Sequence, residues 1–194
     1  MATGARFKVP FRRKREGKTD YRRRLKLLLS GKPRLVVRKT SNHAIAQLVE
    51  YTLQGDKVLV SSHSNELRQY GWKAGTGNIS AAYLTGFLCG LKAVKGGVKE
   101  AVLDIGLEAP VKKSKVFSVL KGILDAGVKV PHAKDVLPVE ARIRGEHIGS
   151  YASLAQEAKE KMFSQYLKRN LDPVDLSKHF DEVKANISGS VGVK

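Results

Sequence analysis

The 194-residue chain carries 36 Lys and Arg against 18 Asp and Glu, a formal net charge of +18, with 42% hydrophobic residues. An apolar share of that size is ordinary for a globular chain and excludes a wholly disordered polybasic tail, and the length allows one domain with a sizeable core and an appendage. A lone cysteine, Cys89, excludes an intrachain disulfide framework and fits a reducing, intracellular setting.

No apolar run approaches the roughly 20 residues that cross a bilayer, so a soluble protein is expected. Residues 1–15 are Arg-rich and free of acids, as in a mitochondrial transit peptide. They lack serine, hold Pro10, and lead into a basic stretch that continues past residue 24, which disfavours that reading. The charge is unevenly placed. Residues 1–39 hold 15 cations and two acids, Glu16 and Asp20, for a net of +13, and the remaining 155 residues contribute only +5.

In chain order, FKVPFRRKREGK (7–18) has Pro10, Gly17 and no helical periodicity, which predicts an extended arm that does not fold alone. At about 3.3–3.6 Å per residue an 18-residue arm would reach roughly 60 Å, a length suited to a groove. Asp20 then reads as an N-cap. Tyr21, Leu25, Leu28 and Leu29 fall at helical spacing as a docking stripe, and Gly31 with Pro33 supplies the stop. Guanidinium and ammonium groups interleaved with Phe7, Phe11 and Tyr21 suit RNA, by neutralising phosphates and stacking on unpaired bases. A solvated tail, a nuclear localisation signal, and a basic amphipathic helix on a membrane or calmodulin remain as alternatives.

RLVVRK (34–39), AIAQLVEY (44–51) and KVLVSS (57–62) read as strands, with Gly55 and Asp56 as the turn between the last two, predicting an antiparallel meander. Ile79, Ala82, Tyr83, Gly86, Phe87, Gly90, Leu91 and Val94 keep helical spacing. Leu84, Leu88 and Cys89 make the other side apolar too, so this helix should be central. Gly86 and Gly90 inside it suggest close backbone packing against a sheet, and Cys89 reads as a small core residue.

EAVLDIG (100–106) reads as a strand, 114–126 as a helix capped by Gly127, and Val128–Val130 as a last short strand. The whole is an α/β class domain, a mixed sheet with packed helices. Residues 131–149 read as irregular. Tyr151, Leu154, Ala155, Ala158, Met162 and Tyr166 mark one long amphipathic helix, and Asp172 with Pro173 opens another through about Ile187, with 189–194 frayed. These helices form an appendage docked on a partner or on the sheet. The chain thus divides into a basic arm with a short helix (1–33), an α/β core (34–131), and a linker with a helical extension (132–194).

Motifs for chemistry are sparse. His43, His63, His132, His147 and His179 show no metal-ligand spacing, and one cysteine makes no CxxC site. KAGTGN (73–78) resembles a phosphate loop but lacks the G-x-x-x-x-G-K-[ST] order; glycines before a helix could still meet an RNA phosphate. Asp104 and Glu108 could be imagined as a nuclease carboxylate pair, yet the first strand offers cations where a two-metal site needs a carboxylate. No catalytic residue, metal or cofactor is expected.

YRRRLKLLLSGKPRLVVRKTSNHAIAQLVEY (21–51), GWKAGTGNISAAYLTGFLCGLKA (71–93), EAVLDIGL (100–107), VFSVLKGILDAGVKVPH (116–132) and RIRGEHIGSY (142–151) together resemble one family. It is the 5S rRNA-binding protein of the large ribosomal subunit, numbered eighteen in bacteria and five in eukaryotes, and the C-terminal helical portion is similar to its archaeal and eukaryotic branch.

The resemblance implies a ribonuclease-H-like α/β core without catalytic activity. It also implies a cytoplasmic place in the central protuberance of the 50S subunit, with 5S rRNA as chief partner. Contacts to 23S rRNA, to the other 5S-binding protein (family five in bacterial naming) and to further central-protuberance proteins would follow, and no membrane contact. The family's RNA-contacting stretch maps onto Phe7, Lys8, Phe11, Arg12, Arg13, Lys14, Arg15, Lys18, Tyr21, Arg22, Arg23, Arg24 and Lys26, then onto Arg34, Arg38, Lys39, Ser41 and Asn42. Trp72 and Lys73, and the segment Arg142, Arg144 and His147, are further implied contacts. At VKKSK (111–115) relatives more often have a glycine-serine turn, so no contact transfers there.

Overall fold

A computed structural model describes residues 4–154 and 159–191. The meander forms as the alternation requires. β1 (Arg34–Lys39) pairs antiparallel with β2 (Ala44–Thr52), and β2 pairs antiparallel with β3 (Gly55–His63). A short β4 (Val102–Asp104) joins β1 in parallel, giving the order β3-β2-β1-β4 and a mixed sheet. Leu35 faces Leu48 and Val37 faces Ala46 in register, so one face of the sheet is apolar and buried.

That face is covered by α3 (Ile79–Lys95) and α4 (Lys115–Asp125), as the all-round apolar pattern of α3 requires. The opposite flank of α3 holds a second core. Leu67, from a 3-10 helix over Ser64–Tyr70, and Trp72 meet Leu176, Phe180, Val183 and Ile187 of α9 (Leu176–Val191) there. The C-terminal helix therefore docks on α3, with the sheet on the far side of that helix. Cys89 is fully buried and burial pushes its thiol up to about 12, so it is a packing residue.

Gly86 and Gly90 serve a different neighbour from the one expected. A Cβ on Gly86 would lie 2.1 Å from the Val119 carbonyl oxygen, and one on Gly90 would lie 2.5 Å from the Ala126 Cβ. Gly122 of α4 returns the contact, 2.2 Å from the Tyr83 carbonyl oxygen. The glycines thus bring two helix backbones together, where a sheet contact was predicted.

Several boundaries also differ. The hairpin turn is Leu53–Gln54, with Thr52 opposite Gly55, so Asp56 is a strand residue paired with Tyr51. Val128–Val130 gives one parallel bridge, Lys129 with Glu100, because Gly127 and Pro131 bracket too short a segment for a strand. Within 131–149 the chain is helical over α5 (Glu140–Arg144), where Ile143 enters the second core and Gly145, at φ +81°, ends the helix in the left-handed region.

α6 (Glu146–Leu154) starts five residues before the predicted helix. The Ala155 and Ala158 positions lie outside the described residues; beyond them α7 (Lys159–Met162) and α8 (Ser164–Leu167) are separated at Phe163. α9 extends past Ile187 to a buried Val191, which anchors residues predicted to fray. Lys113 has φ +59°, a conformation that favours glycine, at the turn where relatives were expected to carry one.

Candidate nucleic-acid interface

The arm is exposed from residue 4 to 18. It is not wholly extended: Arg12–Arg15 form one helical turn, α1, supported by the Arg12–Glu16 ion pair at 2.8 Å. A single turn needs no periodicity, so the sequence pattern could not show it. Asp20 caps α2 (Tyr21–Leu28) as expected, accepting from the backbone N–H groups of Arg22 and Arg23.

The predicted docking stripe holds at Tyr21 and Leu28, which are partly buried, and fails at Leu25 and Leu29, which are 61% and 79% exposed; Leu27 turns inward instead and Arg24 reaches Asp56 of β3 at 2.8 Å. An ion pair with the sheet edge sets the rotation of so short a helix, and its leucines follow. Phe11 packs on Tyr21 at 5.1 Å between ring centroids, and it and Phe7 remain exposed.

Between α2 and the uncovered face of the sheet lies a cleft of about 630 Å³. It collects Arg13, Lys18, Arg23, Arg24, Lys26, Arg34 and Arg38 of the predicted contacts. Arg34 is the exception among them. It is only 3% exposed and its guanidinium is held by Asp104 at 2.7 Å and Asp56 at 2.8 Å, so it is a buried structural cation whose charge does not reach the surface.

The ladder continues outward from Arg34. Arg38 pairs with Asp104 at 3.4 Å and donates to its carbonyl, and Lys39 pairs with Glu108 at 3.0 Å. Burial works to raise the Asp56 carboxyl, but Arg34 and Arg24 more than reverse it and hold it below its ordinary value. Asp104 and Glu108 are thus each bound to cations, and no cluster of three potential metal ligands occurs among the described residues.

Arg13, Lys14, Arg15, Arg22 and Lys26 have no carboxylate partner among the described residues. Lys8, Lys14, Arg15 and Arg22 are exposed and do not line the cleft. A second, polar cleft of about 430 Å³ gathers Ser41 and Asn42 with Thr76, Tyr166, Arg68 and Arg169. There the KAGTGN loop is wedged on the β1–β2 turn: Thr76 Oγ1 donates to the Asn42 carbonyl at 2.7 Å, and a Cβ on Gly77 would meet the Ser41 carbonyl at 2.5 Å. Those close contacts give the glycine a packing role.

Lys73 is exposed on that loop, but Trp72 is 3% exposed. Its ring stacks on His179 at 5.3 Å and its Nε1–H donates to the Gly75 carbonyl, so it is a core residue that offers no surface contact. Arg144 pairs with Glu140 at 3.0 Å beside α9; Arg142 is exposed, and His147 is partly buried, its imidazole held below the ordinary range by burial and by Arg142. These three line neither cleft. Sequence reasoning missed Arg68 and Arg169, isolated cations without a motif. It also read Asp56 as turn chemistry, and only the register reveals it on the cleft wall.

Comparison with known proteins defines the class first. The family profile of the ribosomal large subunit proteins 60S L5 and 50S L18 matches residues 5–100 and 93–133. The large ribosomal subunit protein uL18 of Methanothermobacter thermautotrophicus is 57% identical over 192 residues, covering 98% of this chain and 100% of that protein. The chain belongs to this family of large ribosomal subunit proteins, as its resemblance indicated.

Proposed function

We propose that the chain is a non-catalytic structural constituent of the large subunit that binds 5S rRNA and anchors it to 23S rRNA in the central protuberance. One observation carries the reading beyond family membership: +13 of the net charge of +18 sits in residues 1–39, and the structure leaves residues 4–18 exposed, with Arg13, Lys14, Arg15, Arg22 and Lys26 free of carboxylate partners among the described residues. Cations held clear of acids are available to replace the counterions of a phosphate backbone.

The α/β body, with two cores about α3, is the rigid block that positions this charge. The cleft rim and the arm supply the proposed contacts to 5S rRNA; Ser41, Asn42 and Lys73, with the Arg142–His147 segment, are proposed as separate, outlying contacts. Neighbouring ribosomal proteins would meet the remaining surface. Chemical footprinting of 5S rRNA with and without the protein tests this. Protection of a contiguous patch is expected, reduced when Arg12, Arg13, Lys14 and Arg15 are all replaced by alanine. An unaltered footprint at saturating protein would overturn it.

A further inference from the structure

The cleft under α2 orders its chemistry from rim to floor. Arg13, Lys18, Arg23 and Lys26 enter from the arm and α2. The open sheet face contributes Val36 and Val58, the latter 49% exposed, with the Gln47 amide beside them; Val49 lines the cleft at only 5% exposure. Below lie the Asp56 and Asp104 carboxylates on either side of Arg34.

A phosphate group entering to the floor would meet an apolar surface and cations that are already paired: Arg34 with Asp104 and Asp56, Arg24 with Asp56, and Arg38 with Asp104. Its desolvation would go without a free cation to offset it. A nucleobase is neutral, has apolar faces and carries hydrogen-bonding edges, so its desolvation costs less. Cations at the mouth and an apolar wall with paired charges at the base match the polarity of a nucleotide, whose charge is on the backbone alone.

Two polar groups stand ready for a base edge. Among the described residues, the Gln47 side chain donates to Ser61 at 3.3 Å with its carbonyl oxygen unengaged, and the buried Nε–H of Arg34 has no acceptor. Such an orphaned donor in a 3%-exposed side chain on the cleft wall calls for an acceptor. The volume of about 630 Å³ is that of a small-molecule site.

We infer that this cleft receives an unstacked base of single-stranded RNA, its faces on Val36, Val49 and Val58, with the flanking phosphates on the rim cations. The inference rests on the proposed RNA binding and deepens it: the target is a loop or bulge whose bases splay, which a continuous duplex does not offer.

Two fluorescent probes of equal charge test it by anisotropy on the full chain at one salt concentration: a six-residue oligouridylate, and a six-unit ribose-phosphate oligomer lacking bases. The oligouridylate is expected to bind about tenfold tighter, the scale of one favourable base contact. Val58→Glu, at an exposed position of an edge strand, is expected to reduce the ratio to near one, whereas Lys26→Ala weakens both probes alike. A wild-type ratio near one overturns the inference. A tenfold ratio that survives Val58→Glu also overturns it, by moving the base contact to the exposed rings of Phe7 and Phe11. If 5S rRNA binds while the ratio is one, only the cleft assignment fails; if 5S rRNA and both probes fail to bind, the RNA-binding reading fails with it.

Discussion

Replacing Asp104 with asparagine isolates the energetic role of the buried ladder. Asparagine keeps the shape and can still accept from the Gly106 N–H, which lies 2.8 Å from Asp104 Oδ1. It removes the charge facing Arg34 at 2.7 Å and leaves that cation, almost inaccessible to water, with Asp56 alone. Asp56 is already shared with Arg24. Breaking a buried pair from one side costs about 3–5 kcal/mol, and the surviving Asp56 contact lowers this to roughly 2–4 kcal/mol by supplying partial compensation.

For a chain of this size that corresponds to a fall in Tm of roughly 5–15 °C. Urea denaturation followed by far-ultraviolet circular dichroism measures the loss of free energy, and thermal melting by the same signal measures the shift in Tm. Glu108→Gln, which breaks a partly exposed pair with Lys39, serves as the control and should cost about 1 kcal/mol or less. If Asp104→Asn costs no more than that control, Arg34 is not held as described and the ladder is ornamental to stability.

The remaining predictions concern the second core and the helix contact. His179 accepts the Lys73 N–H at Nε2, so it must be neutral there; burial lowers its pKa below 6.5, Lys73 assists, and Glu182 opposes. Stability from this site is complete above pH 6.5 and is lost as pH falls through the lowered folded value, because the unfolded chain takes the proton more readily. Fluorescence of Trp72, the sole tryptophan, should report a transition with a midpoint below 6.5 that disappears in His179→Phe. A midpoint at or above 6.5 would contradict the assignment. Gly86→Ala places a methyl 2.1 Å from the Val119 carbonyl oxygen and should destabilise by about 3 kcal/mol or more; a loss below about 1 kcal/mol in the same urea assay would show that α3 and α4 can separate freely.

Much of the architecture was legible because local patterns carried it: β1 to β3 through β-branched runs, α3 through its apolar circumference, α2 through Asp20. What could not be read depended on distant partners. Arg34 looks like any cation of a basic strand until Asp104, seventy residues away, is placed beside it. Trp72 looks like an exposed loop aromatic until His179 stacks on it, 107 positions later. Gly86 and Gly90 announced a close approach without saying to what, since the sequence marks a missing side chain and not the neighbour that fills the space. The α2 stripe failed at Leu25 and Leu29 for a related reason: eight residues bury too little to fix their own rotation, and the Arg24–Asp56 pair fixed it instead.

The central claim, that the charge of the arm binds rRNA through phosphates, is tested most directly by the salt dependence of 5S rRNA binding. If roughly 6–10 phosphates are neutralised, affinity should fall about 10³–10⁵-fold between about 50 and 200 mM salt. Replacing Arg12, Arg13, Lys14 and Arg15 by alanine should flatten the slope of log K against log salt by about 3. A flat response in the native chain, or an unchanged slope in the substituted one, would contradict the account.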